Sequence, residues 1–534
     1  MSSRNVDVTS ADAAGLVVLD GVSAGVDDIV RLADGRARPV PGTDALKRVE
    51  ESWGVARQIA ATGRVYGRST GVGANRNEDV PTEAAAGHGL RLLRSHAGAI
   101  GEELPARQVR AMLAVRANQL LAGGAGLRPS VVTALCEALE SGAYPAVNEF
   151  GSVGTGDIAA LAQVGLALAG EHPWRKAERS PWRESRGPAG LDSEAPAWWE
   201  SEVPAWRGSG APEPQPLDNN DALALISSNA LTLGQATLAL NELRGLIGAT
   251  QVVAALSLLA VDGSHEAYAA PVHAARPHKG SAEVARRMRE LIGAADRPTP
   301  PLGRIQDPYG FRCIPQIHGP AHDAADALEA VLTVEINAAA ENPLISPEDM
   351  AAYHHGGFYQ AQLALSLDHF RLAVTQVARL STSRLSTLNE PAYTRLRPFL
   401  ADHEPASSGV MILEYAAGAA LGDLRAFSAP ASLGHAVLSR GVEEQASFAS
   451  LAARQTLRAC GAYRLVVGCE LVAAVRALRQ RDLRPDPDLP AGRALELAES
   501  VLDPDQADRP LTDDVTAAAA LLDRFTDIWR GSTS

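Results

Sequence analysis

The sequence predicts a mostly α-helical protein built as an extended bundle of long helices. Three observations predict it. Ala- and Leu-rich segments around 230–260, 320–340, 358–388, 409–425, 433–480 and 515–530 keep a helical period with few interruptions. Hydrophobic residues make up 46% of the 534-residue chain and aromatic residues only 4%, which suits packed helices better than a β-sandwich. No internal repeat of about 20 to 50 residues is present, so a solenoid is not expected. The division expected is an N-terminal domain over 1–220, interrupted by an inserted loop at 171–219, followed by the helical bundle over 221–534. The insert is expected from its five tryptophans, many prolines and lack of period.

The net charge of −14 and pI near 5.5 argue against a nucleic-acid groove, which needs a positive field. Cys136, Cys313, Cys460 and Cys469 lie far apart with no CxxC pair, so neither a disulfide framework nor a thiolate zinc site is expected. No signal peptide and no run of about 18 apolar residues stand out, and a cytoplasmic protein without a membrane anchor is the expectation.

Taken in order, a helical pattern runs from about Asp44 to Ala61. A loop follows, because Val65-Tyr66-Gly67 to Gly71-Val72-Gly73 holds too much glycine for a helix. Helical patterns resume from Thr82 to Gly101, with Arg94-Ser95-His96 near the end, and from Ala106 to Ser141, broken at Gly123-Gly124-Ala125-Gly126. The stretch Asn148 to Leu161 contains Gly151-Ser152-Val153-Gly154-Thr155-Gly156-Asp157, a tight turn opening an apolar helix that Asp157 is expected to cap. Such a turn is ordinarily only a turn, and occasionally an anion-binding nest.

Arg304 to Gln316 holds two arginines, a tyrosine and two amides in a proline-broken segment. An arginine fork matches a carboxylate, while the plain reading is an arginine paired with a structural acid. His318 and His322 are four apart on one helical face without a third ligand nearby in sequence, so no metal site is expected. Glu443 and Glu444 are read as helical neighbours pointing apart, and Asn337 and Asn342 as marking a helix end before Pro343.

Together these motifs resemble the aromatic amino acid ammonia-lyase family: histidine, phenylalanine and tyrosine ammonia-lyases and the related aminomutases. The resemblance covers about residues 15 to 480. It is carried by Val65-Tyr66-Gly67, Arg94-Ser95-His96, Arg116-Ala117-Asn118, Gly151-Ser152-Val153-Gly154 with Asp157, Leu223-Ala224-Leu225-Ile226, Arg276-Pro277-His278, Gln306-Asp307-Pro308-Tyr309 with Arg312, and Asn342-Pro343-Leu344.

The family implies a histidine ammonia-lyase-like helical fold (the fumarase/aspartase-like superfold) and a homotetramer whose active sites draw on several subunits. It implies no external cofactor but an autocatalytic methylidene-imidazolone made from an Ala-Ser-Gly triplet, and loss of ammonia from a small amino acid or related carboxylate. By resemblance, Tyr66 would take the β-proton and Arg312 would bind the substrate carboxylate. Tyr309 and Gln306 would line the amine region, and His96 would stand by the substrate side chain. Phe358 and Glu443 would match wall and polar positions, with Asn342 in the same pocket.

The chain departs from the pattern at the triplet, where the turn is one residue short. Aligned backwards from Asp157, Gly154-Thr155-Gly156 takes the triplet's place and would give an ethylidene variant. Aligned forwards from Gly151, no electrophile forms. The family's activating amide is replaced by Ser227, unless Asn229 substitutes. Three functions follow: Tyr66-assisted proton abstraction with carbon–nitrogen cleavage, an electrophile-free elimination, addition or cyclisation in specialised metabolism, or a non-catalytic scaffold derived from the lyases.

Overall fold

The structure, a computed structural model, describes residues 15–177, 210–299 and 303–531. Its helices in chain order are α1 (Val26–Ala33), α2 (Thr43–Thr62), α3 (Thr82–His96), α4 (Ala106–Leu121), α5 (Pro129–Ser141), α6 (Ile158–Leu168), α7 (Asn219–Ile226), α8 (Ala230–Ala260) and α9 (Lys279–Ile292). Then come α10 (Tyr309–Arg312), α11 (Ile314–Ile336), α12 (Ala361–Leu388), α13 (Ile412–Phe427), α14 (Ala449–Gln480), α15 (Pro490–Glu499) and α16 (Thr512–Arg530).

α8 is the axis of the bundle because its Ala, Leu, Gly and Val residues leave no polar face, and such a helix is stable only when surrounded. It packs on α14, α4, α16, α11 and α12. The stretch Asn219–Ala260 is apolar and long enough to cross a membrane, with a mean hydropathy of 1.6 over its richest window, yet 89% of that window is buried in protein. Serine, threonine, asparagine and glutamine break it short of an uninterrupted run of about 18 apolar residues, and its place is the core.

Helices α8, α12 and α14 all begin at one end of the bundle. Asn229 precedes α8 and donates to the Phe358 carbonyl at 2.7 Å, Gln360 precedes α12, and the start of α14 lies against Gly154. α11 runs the other way, from Cys313 to Asn337. At the opposite end Arg384, on α12, donates to the Gly310 carbonyl at 3.3 Å and forms a paired contact with Glu470 of α14 at 2.6 and 2.8 Å. From Gln360 to Arg384 the chain runs 24 residues, about 36 Å at about 1.5 Å each.

Short strand pairs brace the loops. Ile100–Glu103 pairs antiparallel with Asn148–Phe150, directly before the Gly-rich turn, and Leu344–Ser346 pairs with Ala351–Tyr353 before His354. Trp174–Lys176 pairs with Ala143–Pro145, so the 171–219 stretch opens as a strand; residues 178–209 of the expected insert lie outside the described residues.

Two local expectations fail. The 433–480 segment is helical only from Ala449, because Ser439, Arg440, Gly441 and Phe448 take left-handed φ values that no α-helix accommodates. Glu443 is consequently in an irregular segment, bridged to Leu438, rather than on a helix face. Asp157 does not cap α6: its carboxylate accepts from the Thr232 N–H at 2.7 Å and the Thr232 hydroxyl at 2.9 Å, tying the turn to α8.

Candidate active site

Tyr66 stands in a turn between α2 and α3, made possible by glycine. A Cβ on Gly67 (φ +67°) would overlap the Leu223 side chain, and one on Gly73 (φ +57°) would approach Ser439 Oγ at 2.5 Å. This close approach lets the Gly73 N–H donate to the Tyr66 phenol oxygen at 2.8 Å. The phenol proton meets no acceptor among the described residues. Burial pushes the Tyr66 pKa up and the Glu443 carboxylate adds to that, while the Gly73 hydrogen bond and Arg76 oppose it.

Around Tyr66 the loops interlock. The His354 ring lies edge-on at 6.3 Å. The next residue's N–H donates to Asn342 Oδ1 at 3.0 Å, and the Asn342 N–H donates to Ser227 Oγ at 3.0 Å. Ser227 therefore fixes backbone where the family's amide would stand. The neighbouring Ser228 carbonyl accepts from the Asp157 N–H at 2.7 Å, which brings the Gly-rich turn to the same place.

A closed ring of contacts completes this end. Asn229 bonds the Phe358 carbonyl, Gln360 Nε2 donates to Glu335 Oε2 at 2.8 Å, Gln119 Nε2 donates to the Glu335 carbonyl at 2.9 Å, and Ser228 Oγ donates to Gln119 Oε1 at 2.6 Å. The partners fix both amide orientations, so Asn229 Oδ1 and Gln360 Oε1 are acceptors; both are buried without a donor among the described residues. Burial raises the Glu335 pKa.

The turn itself is pressed onto α14. A Cβ on Gly154 (φ +89°) would overlap Ser447 Oγ and come within 2.8 Å of the Phe448 nitrogen, so only glycine fits there. Ser447 Oγ donates to the Gly154 carbonyl at 2.8 Å and the Phe448 N–H to the Val153 carbonyl at 2.8 Å. The Gly156 N–H (φ +130° at that residue) donates to nothing among the described residues. The family's imidazolone needs a free glycine nitrogen, a hydroxyl-bearing residue before it and a carbonyl two residues back; Gly156, Thr155 and Gly154 fit that requirement, with one methyl more than serine would bring.

Gln306, Tyr309 and Arg312 are placed elsewhere. They lie at the Arg384 end, and no hydrogen bond, ion pair or ring contact among the described residues joins them to Tyr66. Tyr309 and Gln306 are exposed, and the Arg312 guanidinium stacks 4.4 Å from the Tyr309 ring centre. Arg312 has no acidic partner and its Nε is buried without an acceptor among the described residues, whereas Arg304 is committed to Asp307 at 2.8 Å. The plain reading of a structural ion pair thus holds for Arg304 and fails for Arg312. His96 ends α3, with its Nδ1 2.9 Å from both the Leu92 carbonyl and Ser95 Oγ. His318 is fully buried with neither ring nitrogen partnered among the described residues, and His322 faces Gln251 at 2.7 Å and stacks on Trp529. No group of three metal-ligating side chains occurs among the described residues.

Residues 25–500 match the family described as aromatic amino acid lyase. The chain belongs to that family. This lyase is 31% identical to the histidine ammonia-lyase of Geobacillus thermodenitrificans, over 95% of this chain and 97% of that one. Its fold is shared with the histidine ammonia-lyase of Trypanosoma cruzi (TM-score 0.82, 27% identity, 97% of this chain and 95% of that one). The tyrosine aminomutase of Streptomyces globisporus superposes equally well (TM-score 0.83, 25% identity, 96% and 98%). Membership makes this lyase a carbon–nitrogen lyase with a histidine ammonia-lyase-like helical fold. Sequence reading of the lyase missed Glu335, Gln360, His354 and Ser447. Gln360 lies two residues after Phe358 and Ser447 four after Glu443, but no local signal marked either.

Proposed function

We propose that this lyase removes ammonia from an aromatic or imidazole-bearing amino acid, with Tyr66 as the base that takes the β-proton. The observation that carries it is the Tyr66 phenol, whose oxygen is fixed by the Gly73 N–H while its proton has no acceptor among the described residues. A phenol with a raised pKa needs added positive charge to ionise near neutrality. Arg312, a guanidinium without an acidic partner among the described residues, supplies that charge from a neighbouring copy and holds the substrate carboxylate. Exposed Val334, Leu365, Leu372, Ile412, Tyr415 and Leu465 supply apolar surface for such copies to meet, consistent with a homotetramer.

The substrate ammonium is received by Asn229 Oδ1, Gln360 Oε1 and the Glu443 carboxylate, with Phe358 and His96 walling the side chain. An imidazolone at Gly154-Thr155-Gly156, once formed, supplies the electrophile that improves the amine as a leaving group. Removal of the β-proton by Tyr66 then leaves an alkene conjugated to the carboxylate. The turn's missing residue also keeps a second reading in play, an electrophile-free elimination of a better leaving group; intact mass separates the two. Incubation with histidine, tyrosine and phenylalanine, followed by the ultraviolet bands of urocanate, coumarate and cinnamate, tests the first reading. Product from one of them, lost in Tyr66→Phe, is expected; no product from any of the three overturns it.

A further inference from the structure

Three successive carbonyls of the Gly-rich turn are held by the start of α14. Ser450 Oγ donates to the Ser152 carbonyl, the Phe448 N–H to the Val153 carbonyl and Ser447 Oγ to the Gly154 carbonyl, each at 2.8 Å. The third of these carbonyls lies two residues before the Gly156 nitrogen, whose N–H donates to nothing among the described residues, and only there does the residue between carbonyl and nitrogen, Thr155, carry a hydroxyl that can be lost. That is the spacing of a five-membered ring closed through the main chain.

Ser447 is built to act on that carbonyl. It is buried, and its oxygen receives the Ala449 N–H at 3.3 Å, which turns the hydroxyl proton towards Gly154. The next residue, Phe448, holds a left-handed conformation (φ +54°), a strained state for a non-glycine residue. Its ring is packed so closely on Gly434 that a Cβ there would meet ring carbons at 2.5 to 2.8 Å. The strain therefore persists because the packing imposes it, and its result is to aim both the Phe448 N–H and the Ser447 hydroxyl at the turn.

We propose that Ser447 activates the Gly154 carbonyl for attack by the Gly156 nitrogen, as the hydrogen-bond donor to the oxygen that must leave. The proposal rests on the reading that the ring forms. In the step, the Gly156 nitrogen bonds to the Gly154 carbonyl carbon and the C=O π pair moves onto the oxygen that Ser447 holds. That oxygen departs as water with the N–H protons of Gly156 and Thr155, leaving a C=N bond between Gly154 and Thr155. Thr155 loses its Cα hydrogen and its hydroxyl as a second water, leaving an exocyclic C=C bond. No oxidant or reductant is needed. Ser450 makes an equally good hydrogen bond to the same turn, but to a carbonyl that does not react, so it separates structural support from activation.

Intact-mass spectrometry of denatured full-length chains tests this without any substrate. Expected are a deficit of two waters in the wild type, in Ser450→Ala and in Ser447→Thr, and the full mass in Ser447→Ala, with the circular dichroism melts of all four cooperative. If Ser447→Ala does not fold, Ser447→Cys, similar in shape but a far weaker donor, carries the same comparison. A deficit of two waters in the wild type and equally in Ser447→Ala or Ser447→Cys overturns the role of Ser447 alone. Full mass in the wild type overturns the ring itself, and the role with it.

Discussion

Two buried polar clusters at opposite ends of the bundle, one around Glu470 and one around Tyr66, differ in how their acceptors are met. At the Arg384 end, the buried Glu470 carboxylate receives Arg384 through two nitrogens, Ser257 at 2.7 Å and Ser381 at 2.5 Å, so both its oxygens are occupied. At the Tyr66 end, Asn229 Oδ1 and Gln360 Oε1 are buried acceptors without a donor among the described residues, and the Tyr66 proton has no acceptor among them. The first arrangement holds α12 and α14 in register and carries Gly310, and with it the short helix that presents Tyr309 and Arg312. The second leaves valences open, and native folds keep such groups open chiefly where something else is to bind. On the function proposed above, one cluster is a mount and the other a receptacle, and the mounted arginine of one copy would enter the receptacle of another.

The widest break in that comparison is expected from the two groups that must meet. Tyr66→Phe removes a general base, a loss of about 10²- to 10⁴-fold in kcat, while the chain remains folded. Arg312→Ala removes hydrogen bonds to a charged carboxylate, worth about 1.5–3 kcal/mol, and raises KM by about 10- to 150-fold. Co-expression of the two inactive chains is expected to restore activity, because mixed assemblies contain sites with one intact Tyr66 and one intact Arg312. Mixed chains as inactive as the separate variants, despite confirmed co-assembly, would falsify the division of the site between copies.

The Arg384 end yields to a stability measurement instead. Glu470→Ala leaves the fully buried Arg384 charge unpaired, and the expected cost is about 3–5 kcal/mol, seen as a lower denaturation midpoint. At the Tyr66 end, Gly154→Ala is expected to cost about 1–3 kcal/mol. Its new Cβ meets Ser447 and the Phe448 nitrogen, and φ of +89° is strained for alanine. An unchanged melting midpoint in Gly154→Ala would mean that the shortened turn sits farther from α14 than it does here.

Much of the mount was legible in sequence and much of the receptacle was not. Ala/Leu periodicity marks α8, α12 and α14 because a buried helix repeats its needs every turn. Tyr66 and Arg312 were legible through motifs that glycine and proline punctuate. Ser447 was not: its partner, Gly154, is 293 residues away, and no local pattern records a contact of that span. Asp157 misled because an acid before an apolar run ordinarily caps the helix, whereas the buried approach of Thr232 outbid the local N–H groups. Glu443 misled because the apolar spacing of 433–448 imitates a helix that left-handed residues at 439, 440 and 448 forbid.

The smallest expected effect bears on how the open end is tuned. The Tyr66 pKa is raised by burial first and by the Glu443 carboxylate as well. A base acts when deprotonated, so activity is expected to climb with pH through the Tyr66 pKa. Glu443→Gln removes a negative charge that disfavours the phenolate, so the climb is expected to move to lower pH, by less than about one unit, or under about 1.4 kcal/mol. Loss of an acceptor for the substrate ammonium is expected to raise KM in the same variant. The two effects separate in a plot of kcat against pH at saturating substrate: the limb moves down if Glu443 tunes the base, and stays where it is if Glu443 serves only the ammonium.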